Sequence, residues 1–338
     1  MRIFRLICLV FFILSGINCR PKDTEQQQVV IYTSLDKVFS EPILETFEKQ
    51  TGIKVLDVYD SEATKTTGLV NRLIAEKENP RVDVFWNSEI GRTIVLKQKG
   101  VLAEYISPSA AEIPAQFKDP NGYWIGFAAR CRVLIYNTNL LKEQDLPMSI
   151  FELTQSTWKN KVGMAYPLFG TTATHAAALF VQLGDEKAKE YFEGLKANGV
   201  MITDGNASAR DRVVDGTVPI AFTDTDDALV AIKQGKSVDI IWPDTYGIGT
   251  LLIPNTVALI KGGPNPQAGK KLIDFLLSPK VEEMLAHCDS GQIPLRPNVK
   301  RPAHVPTLDK IKAMEVDYET VADLMEKSSR FNQQLFVR

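Results

Sequence analysis

Short β-branched runs that end in a polar loop and lead at once into a helix recur along this chain, and that alternation constrains its fold more than any other feature. Val29-Val30-Ile31-Tyr32-Thr33 reads as a buried strand. A helix opening at Ser40-Glu41-Pro42 follows, with Ile43, Leu44 and Phe47 on one face and Gly52 at its end. Ile53-Lys54-Val55 then leads to a helix through Leu69, Val70, Leu73 and Ile74. Residues 82–86 form the next strand, before a helix over 93–99 stopped by Gly100. Strands alternating with helices over short connections predict an α/β protein.

The pattern resumes further on. Strands are expected at 124–128, 132–136 and 161–166, with helices at 172–183 and 187–198. A strand at 218–222, a helix at 227–234 closed by Gly235 and a strand at 238–242 complete a second α/β unit. The apolar stretch 251–260 reads as a return to the first sheet, backed by helices at 267–277 and 281–286. No low-complexity linker or internal repeat separates the halves, which favours crossovers between two lobes over domains in series. The expected division is lobe 1 from 29–130 and 250–300, and lobe 2 from 131–249 and 301–338.

The 338 residues are 44% hydrophobic and 24% charged, a globular composition, and the formal charge of −2 leaves no basic footprint for nucleic acid. Arg2 and Arg5 precede the apolar run 6–14, then Ser15-Gly16 and Cys19, the layout of a signal peptide over 1–18. That run is about half of the ~20 apolar residues a spanning helix needs. Cys19 and the polar tether 19–28 point to lipidation at Cys19 and a periplasmic location at a membrane surface. Gly16 and Asn18 depart from the usual lipobox, so a cleaved soluble protein is the other reading. Cys131 and Cys288 remain in the folded part; they form no zinc motif, and an oxidising compartment permits a disulfide between them.

Several segments together carry a family resemblance: Ile31-Tyr32-Thr33-Ser34, the stretch from Phe47 to Val55, the run from Val82 to Glu89, and Arg130 to Thr138. Thr157 to Gly163 and Ile293-Pro294-Leu295-Arg296-Pro297 complete the set. On these the chain resembles the bacterial extracellular solute-binding proteins of family 1, in the branch that contains periplasmic ferric-ion-binding proteins. The resemblance implies a type II two-lobed periplasmic-binding fold, with mixed sheets flanked by helices and hinge crossovers. It also implies a monomer with a ligand cleft, and as partners an ABC permease and its ATPase. Ferric iron with a synergistic anion is the ligand that the branch implies. Its usual His in the loop after the first strand is replaced by Ser34-Leu35-Asp36, and its usual tyrosine pair by Thr223-Asp224-Thr225-Asp226-Asp227. A small organic anion or zwitterion, such as an aminoalkylphosphonate, is the alternative.

Ferric iron favours oxygen donors, and Tyr32, Glu89, Asp224 and Asp226 are the candidate metal set. The Asp residues have a second reading, as caps of the helix they enter. Gly170, Thr171 and Thr172 sit between a strand and a helix, where unpaired N–H groups can meet an anion or simply be capped. Asn206 opens a helix, and Arg130 at a strand end offers a fork for a carboxylate or phosphate or for a structural ion pair. Ser34, Thr64 and Asn87 complete the candidate ligand contacts. His175, His287 and His304 show no metal spacing and read as structural or surface residues. No catalytic residue is expected. The competing enzyme reading, a thiaminase-like protein using Cys131, lacks a neighbouring base: Arg130 and Arg132 flank the cysteine.

Overall fold

A computed structural model describes residues 26–60 and 66–336. The expected signal peptide, Cys19, most of the tether and Thr64 lie outside the described residues. Strand β1 (Gln28–Thr33) leads to α1 (Lys37–Thr51), β2 (Lys54–Tyr59), α2 (Thr67–Ala75), β3 (Val84–Asn87), α3 (Gly91–Gln98) and the short β4 (Leu102–Ala103). β1 lies between β2 and β3, parallel to both. Helix α1 begins at Lys37, earlier than its proline suggested, and Pro42 sits inside it. The carbonyl that loses its N–H partner there belongs to Val38, an exposed residue.

The next element departs from expectation. Where two strands were predicted, one strand, β5 (Ile125–Asn137), runs unbroken. Then come β6 (Val162–Ala165), α4 (Gly170–Leu183), α5 (Asp185–Ala197), β7 (Met201–Thr203), α6 (Asn206–Val214), β8 (Ile220–Asp224), α7 (Thr225–Lys233) and β9 (Val238–Ile241). The chain returns through β10 (Leu252–Ile260) and ends in α8 (Pro266–Leu276), α9 (Pro279–His287) and α10 (Tyr318–Leu335).

β10 runs antiparallel to β3 and to the first part of β5, and joins the two within the first sheet. From Arg132 onward, β5 instead pairs with β8 on one side and β9 on the other, while β6 joins β7 and β8 in parallel. One strand therefore belongs to both sheets, and the lobes meet along it. The two crossovers are tied together: Arg132 N donates to Leu251 O at 2.9 Å, and Thr250 Oγ1 donates to the Arg132 carbonyl. The register of β10 against β5 shifts once, between Pro254 and Asn255, leaving Ala128 unpaired at φ 39°.

Each lobe buries apolar residues on both faces of its sheet. In lobe 1, Ile31, Phe47, Leu272 and Leu285 share one cluster, and Leu69, Leu73, Phe85 and Ile94 another. In lobe 2, Phe180, Phe192 and Phe222 share a cluster, as do Ile135, Val213 and Ala221. Assignment of 301–338 to lobe 2 alone needs correcting, because α10 serves both lobes. Ala322 joins the lobe 1 cluster, whereas Val321 and Met325 join that of lobe 2. Lys97 and Gln98 of α3 reach Glu319 and Asp323 at 2.6 and 2.7 Å, and Lys327 pairs with Asp185 of α5.

Candidate ligand site

The register that joins β5 to β8 sets Arg132 directly opposite Asp224, so the two side chains share a face. Arg132 Nη1 donates to Asp224 Oδ1 at 2.6 Å and to Asn206 Oδ1 at 3.0 Å. The other carboxylate oxygen of Asp224 accepts from Thr171 Oγ1 at 2.6 Å and Asn206 Nδ2 at 3.1 Å. Thr172 Oγ1 donates to Asn206 Oδ1 at 3.1 Å. Two positions back along β5, Arg130 donates from Nη1 to Asp226 Oδ2 at 2.6 Å and from Nη2 to the Ser88 carbonyl at 2.5 Å.

These residues sit where β6, β7 and β8 end and α4, α6 and α7 begin, so three helix N-termini converge on one cluster. None of the three is capped by its own N-cap side chain, and α4 carries no acidic residue in its first turn. Asp224 is the N-cap residue of α7, yet its carboxylate turns to Arg132 and Thr171 instead. Burial alone would raise the Asp224 carboxyl, but Arg132 and Arg130, with Thr171, outweigh it and hold it below the usual range. Burial likewise opposes the charge of Arg130, and Asp226 and Asp224 more than restore it.

Lobe 1 supplies a second polar chain. Ser34 Oγ donates to Asn87 Oδ1 at 2.7 Å, and Ser88 N donates to Ser34 Oγ at 2.8 Å. Asn87 Nδ2 donates to Glu89 Oε1 at 3.2 Å. Glu89 accepts from the Arg92 N–H at 2.9 Å and, across the cleft, from Thr174 Oγ1 at 2.7 Å. Arg92 Nη2 crosses to the Leu168 carbonyl at 2.9 Å.

The expected metal set does not assemble. Tyr32 is buried against α2, its hydroxyl donating to Glu76 Oε2 at 3.0 Å and its ring lying 4.6 Å from the Arg72 guanidinium carbon. Burial, with Glu76, pushes its hydroxyl up to about 12, so it stays protonated. Strand alternation explains the miss: Ile31 faces α1 and Tyr32 the opposite helix layer. Glu89 is occupied by the start of α3 and by Thr174. Among the described residues, oxygens of Asp224, Asp226 and Asp227 lie within 4.8 Å of one another. Each nevertheless has a guanidinium close by: Arg132, Arg130 and, at 3.6 Å, Arg210.

Gly170, Thr171, Thr172, Asn206, Arg130, Asp224 and Asp226 are thus gathered in lobe 2 and at the crossover, and Ser34, Asn87 and Glu89 in lobe 1. Arg132, the centre of the cluster, was not among the expected contacts, although its spacing of two from Arg130 in a strand was a usable signal. Ser88, Arg92 and Thr174 were also missed. Cys131 and Cys288 are free thiols rather than a disulfide. Burial, then Asp224, pushes the Cys131 thiol up, the reverse of what a nucleophile needs. His175 is buried and neutral, its pKa lowered to about 3 by burial and Arg132.

A family profile described as bacterial extracellular solute-binding protein matches residues 43–313. Iron uptake protein A1 of Synechocystis is 26% identical over 274 residues, 78% of this chain and 74% of that protein. A periplasmic protein of Salmonella typhimurium named for 2-aminoethylphosphonate binding is 30% identical over 263 residues, covering 75% and 73%. Iron-bound HitA from Pseudomonas aeruginosa superposes with a TM-score of 0.83 at 22% identity, covering 92% of this chain and all of that one. With a two-lobed fold and a polar cluster where the lobes meet, the chain belongs to the bacterial extracellular solute-binding proteins and captures a small ligand as the solute-binding component of an ABC importer.

Proposed function

We propose that the ligand is a small organic zwitterion with a phosphonate- or carboxylate-type oxyanion, rather than ferric iron. The observation that carries this reading is the commitment of Asp224 and Asp226, each to a guanidinium at 2.6 Å. A hard cation bound there would have to separate two buried ion pairs and leave two arginines uncompensated, which costs several kcal/mol. An oxyanion is better served, because helix N-termini and guanidinium groups favour negative charge. A cluster of two arginines balanced by two aspartates suits a ligand that carries both charges and little net charge of its own. The similarity to the protein named for 2-aminoethylphosphonate binding supports this choice.

Iron with a synergistic anion is a second reading, favoured by the closeness of the three carboxylates and by the iron-named relative. Titration calorimetry with 2-aminoethylphosphonate, beside ferric citrate, separates the two. Heat and a raised melting temperature with the phosphonate are expected; colour and stabilisation with ferric citrate alone would replace this reading with the iron one. Binding at 100 times Kd should add about 2.7 kcal/mol of apparent stability. Export through the basic and apolar leader, with tethering at a lipidated Cys19, belongs to the same proposal and is supported by the order of those segments. Mass spectrometry of the mature N-terminus tests it: an unmodified terminus would leave a soluble periplasmic protein.

A further inference from the structure

Ala128 is the one residue of β5 between Ile125 and Cys131 without a partner on β10: Phe127 lies opposite Asn255, and Ala129 opposite Pro254. This is a β-bulge. With the extra residue in place, Phe127, Ala129, Cys131 and Val133 all pack into one core, which fixes Arg130 and Arg132 on the other face. Arg130 therefore lies on the face opposite Phe127, paired with Ile253, and Arg132 follows two residues later opposite Asp224. Without the extra residue both guanidinium groups would point away from the cluster.

The bulge has its own supports. Ala128 is an alanine at φ 39°, a left-handed conformation that disfavours a Cβ. Its two backbone groups are lost to the ladder and are taken up by buried side chains. Its N–H donates to Glu282 Oε1 at 3.0 Å, and its carbonyl accepts from Asn255 Nδ2 at 2.7 Å. Glu282 also accepts from Leu295 N at 2.8 Å and pairs with Arg296 at 2.8 Å. Asn255 donates as well to Gln292 Oε1 at 2.6 Å. Glu282 and Asn255 are 0% and 1% exposed, and their hydrogen bonds go to the bulge and to Gln292, Leu295 and Arg296.

We infer that Glu282 and Asn255 are positioning residues for the ligand site, holding the Ala128 bulge that turns Arg130 and Arg132 into the cleft. The inference rests on the reading that those arginines face the ligand. Two variants test it. Glu282→Met combined with Arg296→Met strips the bulge N–H of its acceptor without orphaning a charge, and Asn255→Ala removes the donor to its carbonyl. Arg296→Lys is the control, since it disturbs the same ion pair but leaves Glu282 on the bulge. At a temperature where circular dichroism finds all forms folded, the first two should raise Kd for 2-aminoethylphosphonate tenfold or more, and Arg296→Lys by less than twofold. The Arg130 and Arg132 Nε–H resonances of ligand-free protein should shift in the first two and stay in place in the control. Resonances unmoved in both variants, or moved equally in the control, would overturn the positioning role. If wild type fails to bind the phosphonate, the ligand reading falls, and the resonances alone decide the positioning role.

Discussion

At the centre of the site one nitrogen of Arg132 reaches Asp224, Asn206 and Thr171, residues at the junctions of three strands with three helices. A lysine there keeps the charge and loses the planar fork. Arg132→Lys should therefore weaken ligand binding by tenfold to a hundredfold, since a charge-assisted hydrogen bond contributes about 1.5–3 kcal/mol; calorimetry showing an unchanged Kd would remove Arg132 from the site. Its neighbour His175 makes a pH prediction. Unfolded, that imidazole takes a proton near a pKa of about 6.5, whereas in the fold burial and Arg132 lower the value to about 3. Between those values the unfolded chain binds a proton that the native one refuses, so stability falls as pH falls. Asp224 contributes in the same direction only lower down, as pH drops from about 3.9 through its depressed folded value. His175→Leu should flatten the decline in urea-melt stability from pH 6.5 to 4. A slope identical to wild type would place that proton elsewhere.

Among the elements, α10 joins the lobes from outside the sheet. Met325 is buried beside Gly91 of α3, where an added Cβ would lie 2.6 Å from its sulfur. Met325→Ala should cost about 2–5 kcal/mol, the usual range for a buried methionine, read as a lower midpoint in denaturant melts; a loss below 1 kcal/mol would mean that α10 is only loosely held. This helix was not among the expected elements, although Val321, Leu324, Met325, Phe331 and Leu335 recur at helical spacing. Ser328 and Asn332 interrupt that apolar stripe on its buried face. The strand and helix alternation of both lobes was readable because each apolar run matches one local period. β5 was not, because arginines at 130 and 132 interrupt its apolar run. They are tolerated in a buried strand only through Asp224 and Asp226, more than ninety residues away, and no local window holds both partners. The same distance explains the site: Asp224 and Gly170 to Thr172 were legible as strand-to-helix loops, while Tyr32 was misjudged because its outlet, Glu76, is a feature of packing.

For the whole molecule, the two lobes touch through Thr174 with Glu89 and Arg92 with the Leu168 carbonyl, in addition to the shared strand and α10. Ligand should favour this closed arrangement, and small-angle scattering should show a smaller radius of gyration at saturation. Superimposable curves with and without bound ligand would argue against hinge closure. Arg92→Ala removes one cross-cleft bond without touching the Arg132 cluster, so its ligand-free form should scatter as a larger particle while its ligand-bound form matches wild type. The position of β10 has a consequence for the order of synthesis. A chain made from its N-terminus lacks the strand that joins β3 to β5 until residue 260 has emerged, and lacks the helix joining both lobes until the last twenty or so residues follow. The finished first sheet is thus a late event, and until then β3 and the first half of β5 have no common neighbour to join them.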